Sequence, residues 1–192
     1  MKKITIAFLL SCIIFAIMIP AFPTLISNLH PIVLPVLFLY IFVVTLTIYL
    51  VVRGQTISIP SWSYYGFFVL YTLGLIVLLF LRPNEQFYGS YNIMPLDTIF
   101  FYFSGRVHWF VAFYNLAANI VLFIPFGVLL RFKGFTLMNL ILLPFLVISL
   151  VEVGQYVTNR GSLDVDDLLL NVIGFYIGYL LYPLFRRVFL VR

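Results

Sequence analysis

The sequence predicts an all-α fold: a polytopic membrane helical bundle of about six transmembrane helices, with both termini in the cytoplasm. Three observations predict it. Of the 192 residues, 64% are hydrophobic and only 9% are charged, against about 25% charged in an average soluble domain, so too few polar side chains remain to coat a water-soluble core. Apolar stretches long enough to cross about 30 Å of hydrocarbon recur along the chain. The basic residues divide unevenly between the connections. The same composition excludes disorder and coiled coil, and a single cysteine excludes an intrachain disulfide framework and a cysteine-based zinc site. A net charge of +5 without a basic tail gives no footprint for nucleic acid.

The first span, residues 4–20, follows Lys2 and Lys3. Its apolar run continues well past Leu9-Leu10-Ser11-Cys12, a faint lipoprotein-like cleavage site, so it reads as an uncleaved signal anchor. Residues 34–52 and 64–81 are the second and third spans. The long connection, 82–109, holds Asn92-Ile93-Met94-Pro95-Leu96-Asp97 and then Phe100, Phe101, Tyr102, Phe103 and Trp109. It is too short to span and reads as an interfacial or re-entrant segment at headgroup depth. The fourth span, 110–131, contains Pro125, which leaves the Val121 carbonyl without its helical donor and predicts a kink. Phe132-Lys133-Gly134-Phe135 makes a tight turn into the fifth span, 136–157, where Pro144 predicts a second kink. A short loop, 158–166, leads to the sixth span, 167–185. Gly174-x-x-x-Gly178 reads as a close-packing face, and Arg186-Arg187 as a stop signal that snorkels to headgroups. Residues 1–81 and 82–192 are expected to fold as one unit.

Placing the N-terminus inside puts Lys2, Lys3, Arg53, Arg131, Lys133, Arg186, Arg187 and Arg192 in the cytoplasm, 8 of the 11 basic residues. Arg82, Arg106 and Arg160 then lie outside. All six acids, Glu85, Asp97, Glu152, Asp164, Asp166 and Asp167, fall in outer loops or near outer helix ends. His30 and His108 are lone loop histidines and read as solvated decoration.

Polar residues inside spans are costly, so they point to sites. Asn115 and Asn119 are four apart on one face of the fourth span. Ser149, Glu152 and Gln155 share a face of the fifth, and Asp167, Asn171, Gly174 and Gly178 make a stripe on the sixth. At 1.5 Å per residue, Asn119 lies about 13 Å below its outer helix end, Glu152 about 8 Å and Asn171 about 6 Å. The three faces can therefore converge on one outward-opening pocket rimmed by Arg160 and Asp164 to Asp167. Glu152 is the sharpest candidate, because a carboxylate at mid-membrane costs about 2.5 to 3.5 kcal/mol and needs a partner or a proton. One of the three aspartates is expected to cap the sixth helix, but a cap does not need three.

Asn119-Ile-Val-Leu-Phe123-Ile-Pro125-Phe-Gly127, then Glu152-x-x-Gln155, then Arg160 and Asp164-Val-Asp166-Asp167-Leu-Leu-Leu-Asn171-Val-Ile-Gly174, resembles the VanZ-like family. Asn92-Ile-Met-Pro95 resembles the family's Asn-x-x-Pro-Phe element, with Leu96 in place of Phe. The resemblance covers residues 92–182, and residues 1–81 carry no family signal. It implies a bacterial cytoplasmic-membrane protein linked to low-level resistance to the glycopeptide teicoplanin, without an altered peptidoglycan precursor. It also implies a distant kinship with membrane enzymes that act on lipid headgroups.

Two functions compete. In the first, the protein binds or acts on membrane lipids or lipid-linked envelope precursors, as a hydrolase or transferase with its site on the extracytoplasmic side. Glu152 would be the general base or a metal ligand, assisted by Asp167, with Arg160 on a phosphate. Asn92, Asn119, Gln155 and Asn171 would contact substrate, and Asp164 and Asp166 would hold a divalent cation through oxygen ligands. Ser149 lacks a nucleophile-elbow pattern, which argues against a serine acyl enzyme. In the second, a non-catalytic membrane factor changes how glycopeptides or envelope enzymes reach their target. A transporter ranks last, because the inner halves of these helices are almost purely apolar.

Overall fold

The computed structural model describes residues 2–28, 30–81, 91–160 and 163–192. Arg82 and Glu85, and the 161–162 part of the outer loop, lie outside the described residues. Five helices are long and apolar enough to cross a membrane, and a sixth span results if one bent pair is counted as a single crossing. The chain is therefore an all-α, multi-pass membrane protein. It divides into two compact units, Met1–Gln86 with Leu184–Arg192, and Phe87–Pro183.

In the first unit, α1 (Lys2–Ile17) is followed by a 3-10 turn, Ile19–Ala21, and by α2 (Phe22–Asn28). The two are bent by 48° where Pro20 and Pro23 remove two helical N–H donors. α3 (Val33–Val52) and α4 (Ser61–Phe80) are regular spans. Ala7 and Ser11 are fully buried, and Ser11 Oγ donates back to the Ala7 carbonyl at 2.7 Å. These small residues let α1 lie close to α3. Phe8 meets Phe38 and Phe42 edge-on, and Phe15 meets Phe38 the same way, the geometry that the ring quadrupole favours. Gly74 of α4 faces Val36 of α3 with no room to spare: an added Cβ would lie 3.3 Å from Val36 Cγ2.

A two-stranded parallel sheet was not expected from the sequence. β1 (Ile57–Ile59) pairs with a distant strand, Phe189–Val191 (β4 once the two strands between them are introduced), with Ile57 opposite Phe189. Backbone bonds from Arg192 N–H to Ile59 O, 2.9 Å, and from Ser61 N–H to Arg192 O, 2.5 Å, extend the pairing. Val188 and Phe189 enter a core with Ala7, Leu46 and Leu50.

The second unit carries β2 (Tyr91–Asn92), α5 (Asp97–Phe103), α6 (Trp109–Val121), α7 (Ile124–Phe132), α8 (Leu137–Val157), β3 (Leu163–Asp164) and α9 (Val165–Val188) up to Pro183. α5 is only 7 residues long, too short to cross a membrane, with Phe100, Phe101 and Phe103 exposed. In the fourth span the interruption expected at Pro125 takes the form of a break between two helices. The helix stops at Val121, and α7 starts afresh with Pro125 in its first turn, where a missing N–H costs nothing. The break stays within one span, Val111–Phe132.

That break lets three glycines bring backbones together. A Cβ on Gly174 would overlap the Ile120 carbonyl oxygen, one on Gly178 the Ile124 carbonyl oxygen, and one on Gly127 the Phe175 carbonyl oxygen. Phe123 stacks on Phe175 beside them, with ring centroids 5.6 Å apart. The Gly174–Gly178 stripe is thus the face on which α9 meets α6 and α7.

Arg131 has a role that charge counting did not give. Pro183 has no N–H for the carbonyl of Tyr179 four residues back, and Arg131 Nη1 donates to that carbonyl at 2.9 Å. Its guanidinium lies over the Tyr179 ring, 4.7 Å from the centroid, and 5.8 Å from that of Tyr182. The cation thereby meets a freed carbonyl and two π faces.

Candidate functional site

The site is built on how α8 ends and α9 begins. α8 closes with Asn159 in the left-handed region, φ 52°. Asn159 N–H donates to Tyr156 O at 3.1 Å and Arg160 N–H to Gln155 O at 2.8 Å. This is a Schellman closure with asparagine in the usual glycine place, and it fixes where Arg160 leaves the helix. Arg160 is half-buried. The asparagine before Arg160 was the sequence signal for this closure, and the sequence reading passed over it.

Beyond the loop, β3 pairs in parallel with β2, and Asn92 stands opposite Asp164. Asn92 Oδ1 accepts Met94 N–H at 3.1 Å, the side-chain turn that short amides make. Asn92 Nδ2 donates to Thr98 Oγ1 at 3.0 Å, and Thr98 Oγ1 donates to Asp164 Oδ2 at 2.6 Å. Both halves of the Asn92 amide therefore hold the Asn-x-x-Pro loop. Thr98 was missed from the sequence, where nothing but its position in that loop marks it.

The three aspartates have three separate places. Asp164 is the N-cap of α9: its Oδ1 accepts Asp166 N–H at 2.8 Å. Asp166, fully buried, accepts Leu96 N–H at 2.5 Å and Ile99 N–H at 3.1 Å, one on each oxygen. It ties the start of α5 to the start of α9 by two charge-assisted bonds. Asp167, half-buried, accepts from Asn119 Nδ2 and so joins α9 to α6. Glu152, 5% exposed, accepts Asp164 N–H at 3.3 Å. Its carboxylate therefore sits at the N-terminal end of α9, where the helix dipole favours negative charge.

Asp164 and Asp166, expected to hold a divalent cation, are engaged by the fold. All four of their carboxylate oxygens accept N–H or O–H donors from the fold. No group of three or more His, Cys, Asp or Glu is arranged to hold a metal among the described residues.

Two further candidates are deeply buried: Gln155, 4% exposed, and Asn171, 3% exposed. Asn171 lies on α9 between Asp167, which meets Asn119, and Gly174, which meets Ile120. Its Oδ1 is buried with no hydrogen-bond partner among the described residues. Such an atom costs about 1 to 3 kcal/mol, which a ligand donor would recover.

Leu96 is held by Asp166 in an unusual conformation, φ 70°. A left-handed leucine costs roughly 1 to 2 kcal/mol, and glycine would escape most of that. Leu96→Gly is expected to raise stability by about 0.5 kcal/mol after glycine's own entropic cost, and with it the unfolding temperature slightly, and Leu96→Val to lower it. Thermal unfolding of the two purified variants checks the order Gly, Leu, Val.

With this geometry in view, similarity to known proteins adds to it. The family model VanZ/LLP1 matches residues 68–186. That stretch begins inside α4, so the family portion reaches into residues that carry no motif, a correction to the reading of 1–81 as signal-free. Protein VanZ of Enterococcus faecium is 32% identical over 126 residues, spanning 64% of this chain and 74% of that protein. No solved structure matches the chain.

Proposed function

The chain belongs to the VanZ/LLP1 family, and from that premise we propose that it binds or acts on a lipid-linked cell-envelope substrate in the bacterial cytoplasmic membrane, with its site on the extracytoplasmic side and an effect on teicoplanin sensitivity. One observation carries the reading. Glu152, Gln155 and Asn171 are each more than nine-tenths buried on membrane-crossing helices, and Asn171 Oδ1 lacks a donor among the described residues. Buried polar groups in spans are expensive and mark substrate sites. Glu152 then takes the proton of an attacking water or hydroxyl. Asn171 and Gln155 hold the polar headgroup, Asn119 positions Asp167, and Arg160 neutralises a phosphate.

One observation favours a second reading, a non-catalytic factor that modulates glycopeptide access. Asp164, Asp166 and Asp167 all accept hydrogen bonds inside the fold, so the aspartates serve architecture. Purified protein in nanodiscs, incubated with lipid II or phospholipids and scored for product, separates the two. Product formation supports the enzyme. Saturable binding without product supports the factor, and neither binding nor product overturns both.

The sidedness has its own test. In a Cys12→Ser background, Ser104→Cys and Thr158→Cys, both at exposed positions, are expected to react with an impermeant maleimide in intact cells. Lys133→Cys is expected to react only after lysis. The opposite pattern sinks the orientation.

A further inference from the structure

Asp97, Thr98, Phe100, Phe101, Ser104 and Arg106 line a cavity of about 400 Å³ on the segment that holds α5. None of the bonds that build the Glu152 site engages the side chains of Asp97 or Arg106. Among the described residues neither has an ion-pair partner. Among the described residues, the cavity therefore presents one unpaired carboxylate and one unpaired guanidinium. Between them it exposes two phenyl rings, Phe100 at 66% and Phe101 at 45%. Ser104 is already engaged, its hydroxyl donating to Phe101 O at 2.7 Å, which leaves the two charges to choose the ligand.

From this arrangement we propose that the α5 cavity binds the headgroup of a zwitterionic aminophospholipid, with the phosphate on Arg106 and the primary ammonium on Asp97. A guanidinium is suited to a phosphate because its fork of donors matches two oxygens. A carboxylate is suited to an ammonium, and an adjacent phenyl face adds attraction for the cation. A simple anion would satisfy Arg106 and leave Asp97 repelling it; a simple amine would do the reverse. A headgroup carrying both charges satisfies both. The exposed rings argue for a lipid over a free phosphoamine, because Phe100, Phe101 and the neighbouring Phe103 offer apolar surface to the acyl region. The site lies on an element too short to span, the kind of aromatic-rich segment that suits headgroup depth.

The test uses the full chain in detergent and short-chain lipids added in solution. Dihexanoyl phosphatidylethanolamine carries both charges, dihexanoyl phosphatidylglycerol only the phosphate, and free phosphoethanolamine both charges without chains. Affinities are measured by calorimetry. Wild type is expected to bind phosphatidylethanolamine saturably and more tightly than either alternative. Arg106→Gln is expected to weaken both lipids about tenfold, the scale of one lost charge-assisted bond. Asp97→Asn is expected to weaken phosphatidylethanolamine about tenfold and not to weaken phosphatidylglycerol, from which it removes a repelling charge. That split is a readout a folding defect would not give, since misfolding weakens both lipids together. Equal affinity of both variants and wild type for phosphatidylethanolamine overturns the site. Phosphoethanolamine binding as tightly as the lipid overturns the lipid as its source.

Discussion

Glu152→Gln is expected to leave the protein folded and to lower turnover of a lipid-linked substrate by about 10²- to 10⁴-fold, the usual contribution of a general base. The backbone contact survives the change, because a glutamine carbonyl accepts Asp164 N–H as the carboxylate does. The buried negative charge disappears, and with it a desolvation cost, so stability holds or rises slightly. What is lost is the capacity to take a proton. The checks are the product rate in nanodiscs and teicoplanin survival of cells at matched protein levels. Full activity in the variant removes the catalytic reading and leaves the access-modulating factor. Asp167→Asn is the companion. An asparagine oxygen still accepts from Asn119, so a purely structural Asp167 tolerates the change, whereas one that works with Glu152 does not.

Gly174→Leu is expected to abolish folded protein rather than activity alone. At this position the obstacle is backbone: the Ile120 carbonyl occupies the space a Cβ needs, and Phe123 Cβ would lie 3.1 Å from it. Neither can swing aside as a side-chain tip would. The only relief is separation of α9 from α6, which would take Asp167 from Asn119 as well. The loss is expected to exceed about 4 kcal/mol, the range reserved for severe steric and network defects. Gly178→Leu should match it, since its Cβ would strike the Ile124 carbonyl oxygen and lie 3.1 Å from Gly127 Cα. Gly66→Leu, where nothing lies within 4 Å, is the control and should express normally. Size-exclusion profiles and unfolding temperatures in detergent decide; a folded Gly174→Leu protein would mean that α9 meets its neighbours elsewhere.

The long helices were legible because hydrophobic length is a strong signal in a chain that must cross lipid. The expected spans at 34–52 and 136–157 differ from α3 and α8 by a residue at most. Pro125 was legible as an interruption but not as its kind. Whether a proline kinks one helix or starts another depends on what the neighbouring helix tolerates, and the Gly174–Gly178 contacts decide that here. The short strands were illegible, because two or three residues have no period and owe their pairing to tertiary context. Among the candidate residues, sequence spacing identified Glu152, Gln155 and Asn171, which are buried, and Asn119, which is half-buried. It could not divide the labour of the aspartates. The partners of Asp166, Leu96 and Ile99, are backbone amides some seventy residues away, and an amide carries no signature in the sequence. Leu96 is the sharpest case: nothing about a leucine announces a positive φ.

The pairing of Ile57–Ile59 with Phe189–Val191 has a consequence for the order of assembly. A ribosome delivers residues 57–59 early, before any of the later membrane-crossing helices exist. Their partner strand emerges only after α9 has been made. During that interval the edge at 57–59 is open, and Leu46 and Leu50 lack the two residues, Val188 and Phe189, that complete their core. The earliest-synthesised unit is therefore the last to close, and a non-local contact of this kind is slow to form. A stalled or truncated chain ending before residue 189 would present an unpaired strand and an uncovered apolar patch.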